Sequence, residues 1–504
     1  MKMRHCVAIM AGMALLALAG GAQAETTLRI GLAEDPDALD PTLARTFVGR
    51  IVFASLCDKL FDIGPDLKIV PQLATSYQLS EDAKTVTLHL REGVLFHDGE
   101  NMDAAAVKAS LERHLKLQGS QRKAEIAAIA SIDAVDPHTV QLNLSAPFAP
   151  LIAQLTDRAG MILSPKAVEA SGDKFAAHPV CAGPYKFTER VAQDRIVLDR
   201  FDRYWNKDKT HIDRIVFLPI PDQSVRLANL QSGGLDMIER VAPSDLKQIE
   251  GNKKLKTASI VELGYQSINI NVGKGNGWHN PLGEDARVRE ALDLAIDREA
   301  LNQVVYEGQF QPGNQWVSPN NPYYDKDIPV PKRDLARAKQ LLKEVGKGEI
   351  TIEFMVPNTS EFMQLGQVIQ AMAKEAGINL NIRATEFASS LNLADKGDYS
   401  AYLIGWSGRA DPDGNIYNFV ACNAPLNYPG YCNADVDKEL KAAREVEKPA
   451  DRLAHYKDVA ARTLKDRPIL YLFHRQWIYA LTAKLAGFEP YPDGLIRPQG
   501  LKMQ

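Results

Sequence analysis

Cysteine is scarce in this chain, five in 504 residues, and the few there are do not cluster. No CxxC, no HExxH and no Cys/His group of zinc spacing occurs, so no metal site is expected and no cofactor is implied. A basic excess is missing too: 59 Lys and Arg face 63 Asp and Glu, for a formal net charge of −4. Without surplus cations to release counterions, nucleic acid is not an expected partner. Low-complexity tracts and repeats of solenoid length are absent. Hydrophobic residues make up 45% of the chain, which with so small a net charge excludes a disordered protein. The length predicts more than one domain.

Apolar runs long enough to span a bilayer are also lacking. The longest, Val7–Gly20, falls short and has the setting of an export signal, with Lys2 and Arg4 before it and Ala22-Gln23-Ala24 after it. Residues 1–24 therefore read as a cleavable signal peptide in preference to an anchor helix, and a mature chain starting at Glu25 is expected in the periplasm. Cys6 precedes the apolar run and is not placed for lipid attachment. The remaining cysteines, Cys57, Cys181, Cys422 and Cys432, are even in number, which suits an oxidising compartment. Cys422 and Cys432 flank a loop rich in Asn and Pro, and a bridge there would contribute about 2–3 kcal/mol. Cys57 and Cys181 form either a second bridge or a pair of buried free thiols.

Along the mature chain strands alternate with helices, which predicts α/β lobes. Thr27–Leu32, Thr85–Leu90 and Thr139–Leu144 alternate apolar and polar residues as half-buried strands do. Helices are expected at Gly49–Leu60, Met102–Leu115, Leu335–Val345 and Phe362–Ala376, the last two stopped by Gly346 and Gly377. Val288, Ala291, Leu292, Ala295 and Ile296 share one helical face. Arg287, Arg289 and Arg298 are expected at the edges of that helix, solvated or paired.

Four blocks in fixed order carry a resemblance. Pro71-Gln72-Leu73-Ala74 leads to Leu90-Arg91-Glu92-Gly93-Val94-Leu95-Phe96-His97-Asp98-Gly99. Then come Pro179-Val180-Cys181-Ala182-Gly183-Pro184-Tyr185, the stretch Asp285–Arg298, and Gly405–Asp413 followed by Asn427–Asn433. In this order they resemble the extracytoplasmic solute-binding proteins of the peptide/nickel ABC transport family. Cys181 and Ala182 depart from that family's turn.

The resemblance implies a two-lobed periplasmic binding protein of class II-like α/β type, with an extra subdomain and hinged lobes around a ligand cleft. The domains expected are lobe I from 25–68, 182–272 and 478–504, an α/β subdomain from 69–181, and lobe II from 273–477. Its implied role is the substrate-binding component of an ABC importer. Such a protein takes a small-molecule or peptide ligand, hands it to a permease and ATPase complex in the inner membrane, acts as a monomer and is not an enzyme.

The resemblance also places the corner after Gly405-Trp406 at the cleft. Trp406 is then a ligand face, and Asp411 a partner for a ligand ammonium or else an N-cap. Arg409 is either a donor to a ligand carboxylate or phosphate, or a partner of Asp411. Phe47 is expected on the opposite wall or in the core, and Gly183 offers backbone to the ligand. Ser360–Gln364 lacks the arginine that dipeptide-binding relatives carry near that helix start. An ordinary dipeptide is thus disfavoured against a modified peptide, an amino-acid conjugate or a sugar-like compound. Glu361 and Met363 are the cleft candidates there, although a first-turn Glu also serves the helix dipole.

Other chemistries fit less well. Asp411–Asn415 has its glycine at the wrong place for a calcium loop. Ser244-Asp245-Leu246-Lys247 spells S-x-x-K but reads better as the N-cap of a helix. A secreted hydrolase using Asp411 and Asp413 would need carboxylates flanking a scissile bond, which a tight turn does not supply. A binder of metal chelates, haem or opine-like conjugates remains the alternative. The expectation that follows is a loss of affinity for a cationic ligand in Asp411→Ala, with little cost in folding.

Overall fold

The computed structural model describes residues 25–319 and 321–504; the expected signal peptide lies outside them. A seven-stranded sheet runs in the order Leu255–Val261, Gln476–Thr482, Met237–Ile238, Thr27–Leu32, Arg214–Pro219, Arg195–Arg200, Tyr185–Val191. Its centre is parallel and its flanks antiparallel. Leu28, Ile30 and Leu32 are buried as their alternation predicts. The helix Phe47–Leu56 lies against this sheet, its N-terminus capped by Thr46 Oγ1, which accepts from the Gly49 amide at 3.3 Å. It ends before the expected Leu60, because Cys57 turns to extended backbone and is disulfide-bonded to Cys181.

A six-stranded sheet forms the second lobe, in the order Gln311–Pro312, Ile469–His474, Tyr265–Ile270, Ala401–Trp406, Ile350–Pro357, Ile378–Thr385. The last two strands are parallel, joined by the helix Ser360–Glu375. The helix Ala286–Ala295 buries the predicted apolar face against this sheet. Arg287 and Arg298 are paired, with Asp285 and Asp293, each at 2.6 Å; Arg289 and Arg298 are buried and also donate to main-chain carbonyls, Arg289 to Asp466 and Leu282, Arg298 to Tyr471. A smaller antiparallel sheet, Ala74–Leu79, Thr85–Leu90, Thr139–Leu144, Ile129–Asp136, has its own core with the helix Ala104–Lys116. A second disulfide joins Cys422 to Cys432.

The chain passes between the large sheets twice, between Val261 and Tyr265 and between His474 and Gln476. The strand Tyr265–Ile270 pairs wholly within the second sheet, so the first crossing precedes the expected boundary at 272. Gly264 in that crossing runs against the Trp406 corner: a Cβ there would stand 1.7 Å from the Trp406 carbonyl oxygen. Neither partner is a flexible side-chain tip, so the backbone itself must yield. Gly264→Ala is therefore expected to cost about 1–3 kcal/mol of stability by overpacking. Denaturant unfolding measures it, and an unchanged midpoint would contradict this packing.

Candidate ligand-binding cleft

The crossings bring the ends of both sheets to one hollow, about 780 Å³ of empty space counted together with the part open to solvent. Its walls are aromatic. Phe47 and Trp477 stack with ring centroids 4.5 Å apart on the first lobe. Trp406 and Phe419 meet edge to face at 4.8 Å on the second, beside Tyr265. The Trp406 corner is rigid because Asn415 ties it. Asn415 Oδ1 accepts from Trp406 Nε1 at 3.0 Å and from the Arg409 amide at 2.7 Å, while its Nδ2 donates to the Arg409 carbonyl at 3.0 Å.

Charge is distributed unevenly around these walls. At one end Arg122 and Arg158 face the hollow, with Arg50 and Arg409 beside them, and all four are buried. Their carboxylate partners are Asp157 and Glu125 alone among the described residues. Asp157 takes Arg50 at 2.5 Å, Arg158 at 3.3 Å and Arg409 at 3.3 Å, while Glu125 takes Arg122 at 2.6 Å. Burial and then the charge of Arg50 push the Arg409 guanidinium down to about 10. Burial and neighbouring arginines likewise hold Arg158 well below the usual arginine range. Burial would raise Asp157, yet the arginines keep it well below the usual carboxylate range.

At the other end Glu34 and Glu262 line the hollow with Arg240 and Arg475. Arg240 reaches Glu34 at 2.6 Å and Glu239 at 3.2 Å; Arg475 reaches Glu262 at 3.5 Å and Glu361 at 3.4 Å. Arg226, buried close by, donates to the carbonyls of Ile220 and Pro221. Burial pushes the Glu262 carboxyl up to about 8 against the pull of Arg475, and raises Glu34 as well. Gln266 Oε1 accepts from Arg475 at 3.0 Å, and its Nε2 has no partner among the described residues.

Of the residues picked out from sequence, Trp406 and Phe47 line the hollow. Arg409 lies 4.3 Å over the Trp406 ring, but its ion partner is Asp157, not Asp411. Asp411 does not line the hollow: Arg452 takes both its oxygens at 2.7 and 2.8 Å, and Asp411 Oδ1 accepts from the Asp413 amide. Asp413 is held in the same way by Arg444 at 2.6 and 2.9 Å. Glu361 lines a neighbouring hollow of about 810 Å³ that shares Arg240, Arg475 and Trp477 with the first; there it also accepts from the Tyr306 hydroxyl at 3.3 Å. Met363 packs against the second lobe's core, and it is Phe362 that faces the cleft. Gly183 is wedged against the Leu56 main chain, where a Cβ would come within 2.4 Å of the carbonyl oxygen. Ser244 lies inside a short 3-10 turn, Pro243–Asp245, and caps no helix. Among the described residues no group of three or more His, Cys, Asp and Glu is placed to hold a metal ion, and no helix is long and apolar enough to cross a membrane.

A two-lobed α/β shell with a charged, aromatic hollow at its hinge is the architecture of a solute-binding protein. Residues 68–427 match the bacterial extracellular solute-binding proteins, family 5 Middle, and the chain belongs to that family. It is 31% identical over 474 residues to the glutathione-binding protein GsiB of Salmonella paratyphi A, covering 90% of each chain. Among solved structures it is similar to AgaA of A. tumefaciens R10 in complex with agropinic acid, with a TM-score of 0.86, 27% identity and 95% and 99% of the two chains covered. It is also similar to DppA of Helicobacter pylori in complex with peptide STSA, with a TM-score of 0.87, 25% identity and 95% and 98% covered. The chain is thus the substrate-binding component of an ABC importer.

The Asp411–Arg452 pair changes what Asp411→Ala should do. Losing one partner of a largely buried, bidentate pair leaves Arg452 uncompensated, for which about 2–4 kcal/mol of lost stability is expected. Unfolding curves and calorimetry on the same sample check this: the stability loss should come with ligand affinity changed less than about threefold, or 0.7 kcal/mol.

Proposed function

We propose that the cleft binds a small peptide-like conjugate carrying two acidic groups and one ammonium, in the periplasm, as a monomer and without transforming it. The charge layout carries this reading. Four arginines stand against two carboxylates at one end. Glu34, Glu239, Glu262 and Glu361 stand against Arg226, Arg240 and Arg475 at the other. The first end lacks two negative charges; the second is balanced while Glu262 holds a proton and lacks one positive charge once Glu262 ionises. Buried ions of this kind call for a partner.

Relatives named for glutathione and a neighbour holding agropinic acid support a carboxylated conjugate over a plain dipeptide. Nickel-histidine complexes occur in neighbours at 23% and 21% identity, whose likeness bears on the fold alone. Asp411 and Asp413, the carboxylates of the hydrolase reading, are both occupied by arginines.

Thermal-shift screening tests the ligand class. Reduced glutathione and opine-like conjugates are set against unmodified dipeptides and nickel chelates. A true ligand at one hundred times its Kd should add about 2.7 kcal/mol to apparent stability. Stabilisation by dipeptides or chelates alone would overturn the proposal.

The pH dependence has a definite sign. Glu262, raised to about 8 by burial, holds a proton at neutral pH. A ligand ammonium beside it favours the ionised form, so binding should release up to about one proton near pH 7, and affinity should rise with pH until it levels near 8. Calorimetry in buffers of different ionisation enthalpy measures this release, and Glu262→Gln should abolish it.

A further inference from the structure

Asp157 lies just after the helix Leu151–Gln154 in the small unit, and it is buried. One carboxylate meets an arginine from each part of the molecule: Arg50 from the first lobe at 2.5 Å, Arg158 from its own unit at 3.3 Å and Arg409 from the second lobe at 3.3 Å. Arg50 also crosses the junction, donating to Ser407 Oγ at 3.0 Å. Arg409 has little freedom to point elsewhere. Its main chain is bonded to Asn415 on both sides, its Nη1 donates to its neighbour's carbonyl at Gly408, and its guanidinium lies over Trp406. The ring that faces the ligand and the cation that reaches Asp157 therefore move as one piece.

We infer that Asp157 is a positioning residue for lobe closure: it accepts Arg409 only when the lobes shut, and so makes closure depend on an anion in the cleft. The inference rests on reading the cleft as an anion-accepting ligand site. With the lobes apart, Asp157 is shared by Arg50 and Arg158, which leaves one positive charge in excess, and Arg122 pairs with Glu125. Shutting them adds Arg409 without adding a carboxylate. Arg409 Nη2, Arg50 Nε and Arg122 Nε then have no hydrogen-bond partner among the described residues. The depressed Arg409 guanidinium reports the same crowding. A ligand's acidic groups at Arg122 and Arg158 relieve the repulsion, so the ligand binds the shut state better than the open one, which is what shifts a two-state equilibrium.

A double-mutant cycle on the full chain tests this, with reduced glutathione as the probe, Kd from calorimetry and closure from small-angle scattering. Asp157→Asn and Arg409→Gln should each weaken binding by about tenfold or more, and the double variant should be no weaker than the worse single one, a coupling of at least about tenfold. Ligand-induced compaction should shrink in all three. Additive losses, or full compaction in either single variant, would overturn the inference. A purely structural Asp157 would lower the melting temperature while leaving Kd and compaction unchanged. Should Asp157→Asn not fold, Asp157→Glu replaces it, and the cycle is read against Arg409→Lys, which keeps the charge and loses the fork. If glutathione fails to bind the unmodified protein, the ligand class is what has failed. The closure arm is then run with sulfate, which should compact the unmodified protein and not Arg409→Gln; equal response in both would overturn the inference itself.

Discussion

Where the lobes meet, buried guanidinium groups outnumber the carboxylates beside them, and most of what the cleft does follows from that shortfall. Taking a charge out of water costs several kcal/mol unless an opposite charge and hydrogen bonds replace the water. Asp157 and Glu125 supply those for part of the cluster only. The aromatic walls around Phe47, Trp406 and Trp477 sharpen the imbalance, because a low-polarity surround strengthens every electrostatic interaction inside it. A solute entering this hollow completes a charge arrangement that the protein leaves open.

That arrangement can discriminate only if it is held still. The two crossings are short, and Gly264 lets one of them lie directly against the Trp406 main chain. Asn415 locks the corner by three bonds, and the pairs Asp411–Arg452 and Asp413–Arg444 fasten the segment behind it. The aspartates that look from sequence like ligand carboxylates are thus supports of the corner, and the charged groups that face the hollow come from elsewhere in the chain.

This explains which features could be read in advance. Strand alternation and the apolar face of Ala286–Ala295 rest on local pattern, and the structure has them where the pattern put them; Trp406 and Phe47, chosen through the family resemblance, border the hollow. Arg122, Arg158, Arg240, Arg475, Glu34 and Glu262 were missed because their meaning is a matter of three-dimensional company. Asp157 and Arg409 are far apart in sequence, and nothing local tells Arg122 from a solvated arginine. Two did carry a signal. Arg475 stands with His474 and Gln476 between the apolar stretches Ile469–Phe473 and Trp477–Leu481, and Glu262 stands between Val261 and Leu263 next to Gly264. Both stand where one strand hands over to the next, and a charge flanked so closely by apolar residues demands a partner. Glu361, by contrast, occupies a first helical turn where sequence rightly offers the dipole as explanation, and only the second hollow and Arg475 show what else it does.

The two ends of the cleft are not equally demanding. A carboxyl group left without a cation can take up a proton, and Glu262, lifted to about 8, is poised to do so at neutral pH. An arginine has no comparable retreat, since its guanidinium keeps its proton under any physiological condition. A solute lacking an ammonium therefore meets a neutral glutamic acid and loses little. A solute lacking acidic groups leaves crowded cations unpaired as the lobes shut, a repulsive penalty that rejects it. Selectivity thus resides at the arginine end, where Asp157 links it to closure, while the glutamate end tolerates variation. Such an asymmetry lets one architecture accept chemically varied conjugates that share little beyond their acidic groups.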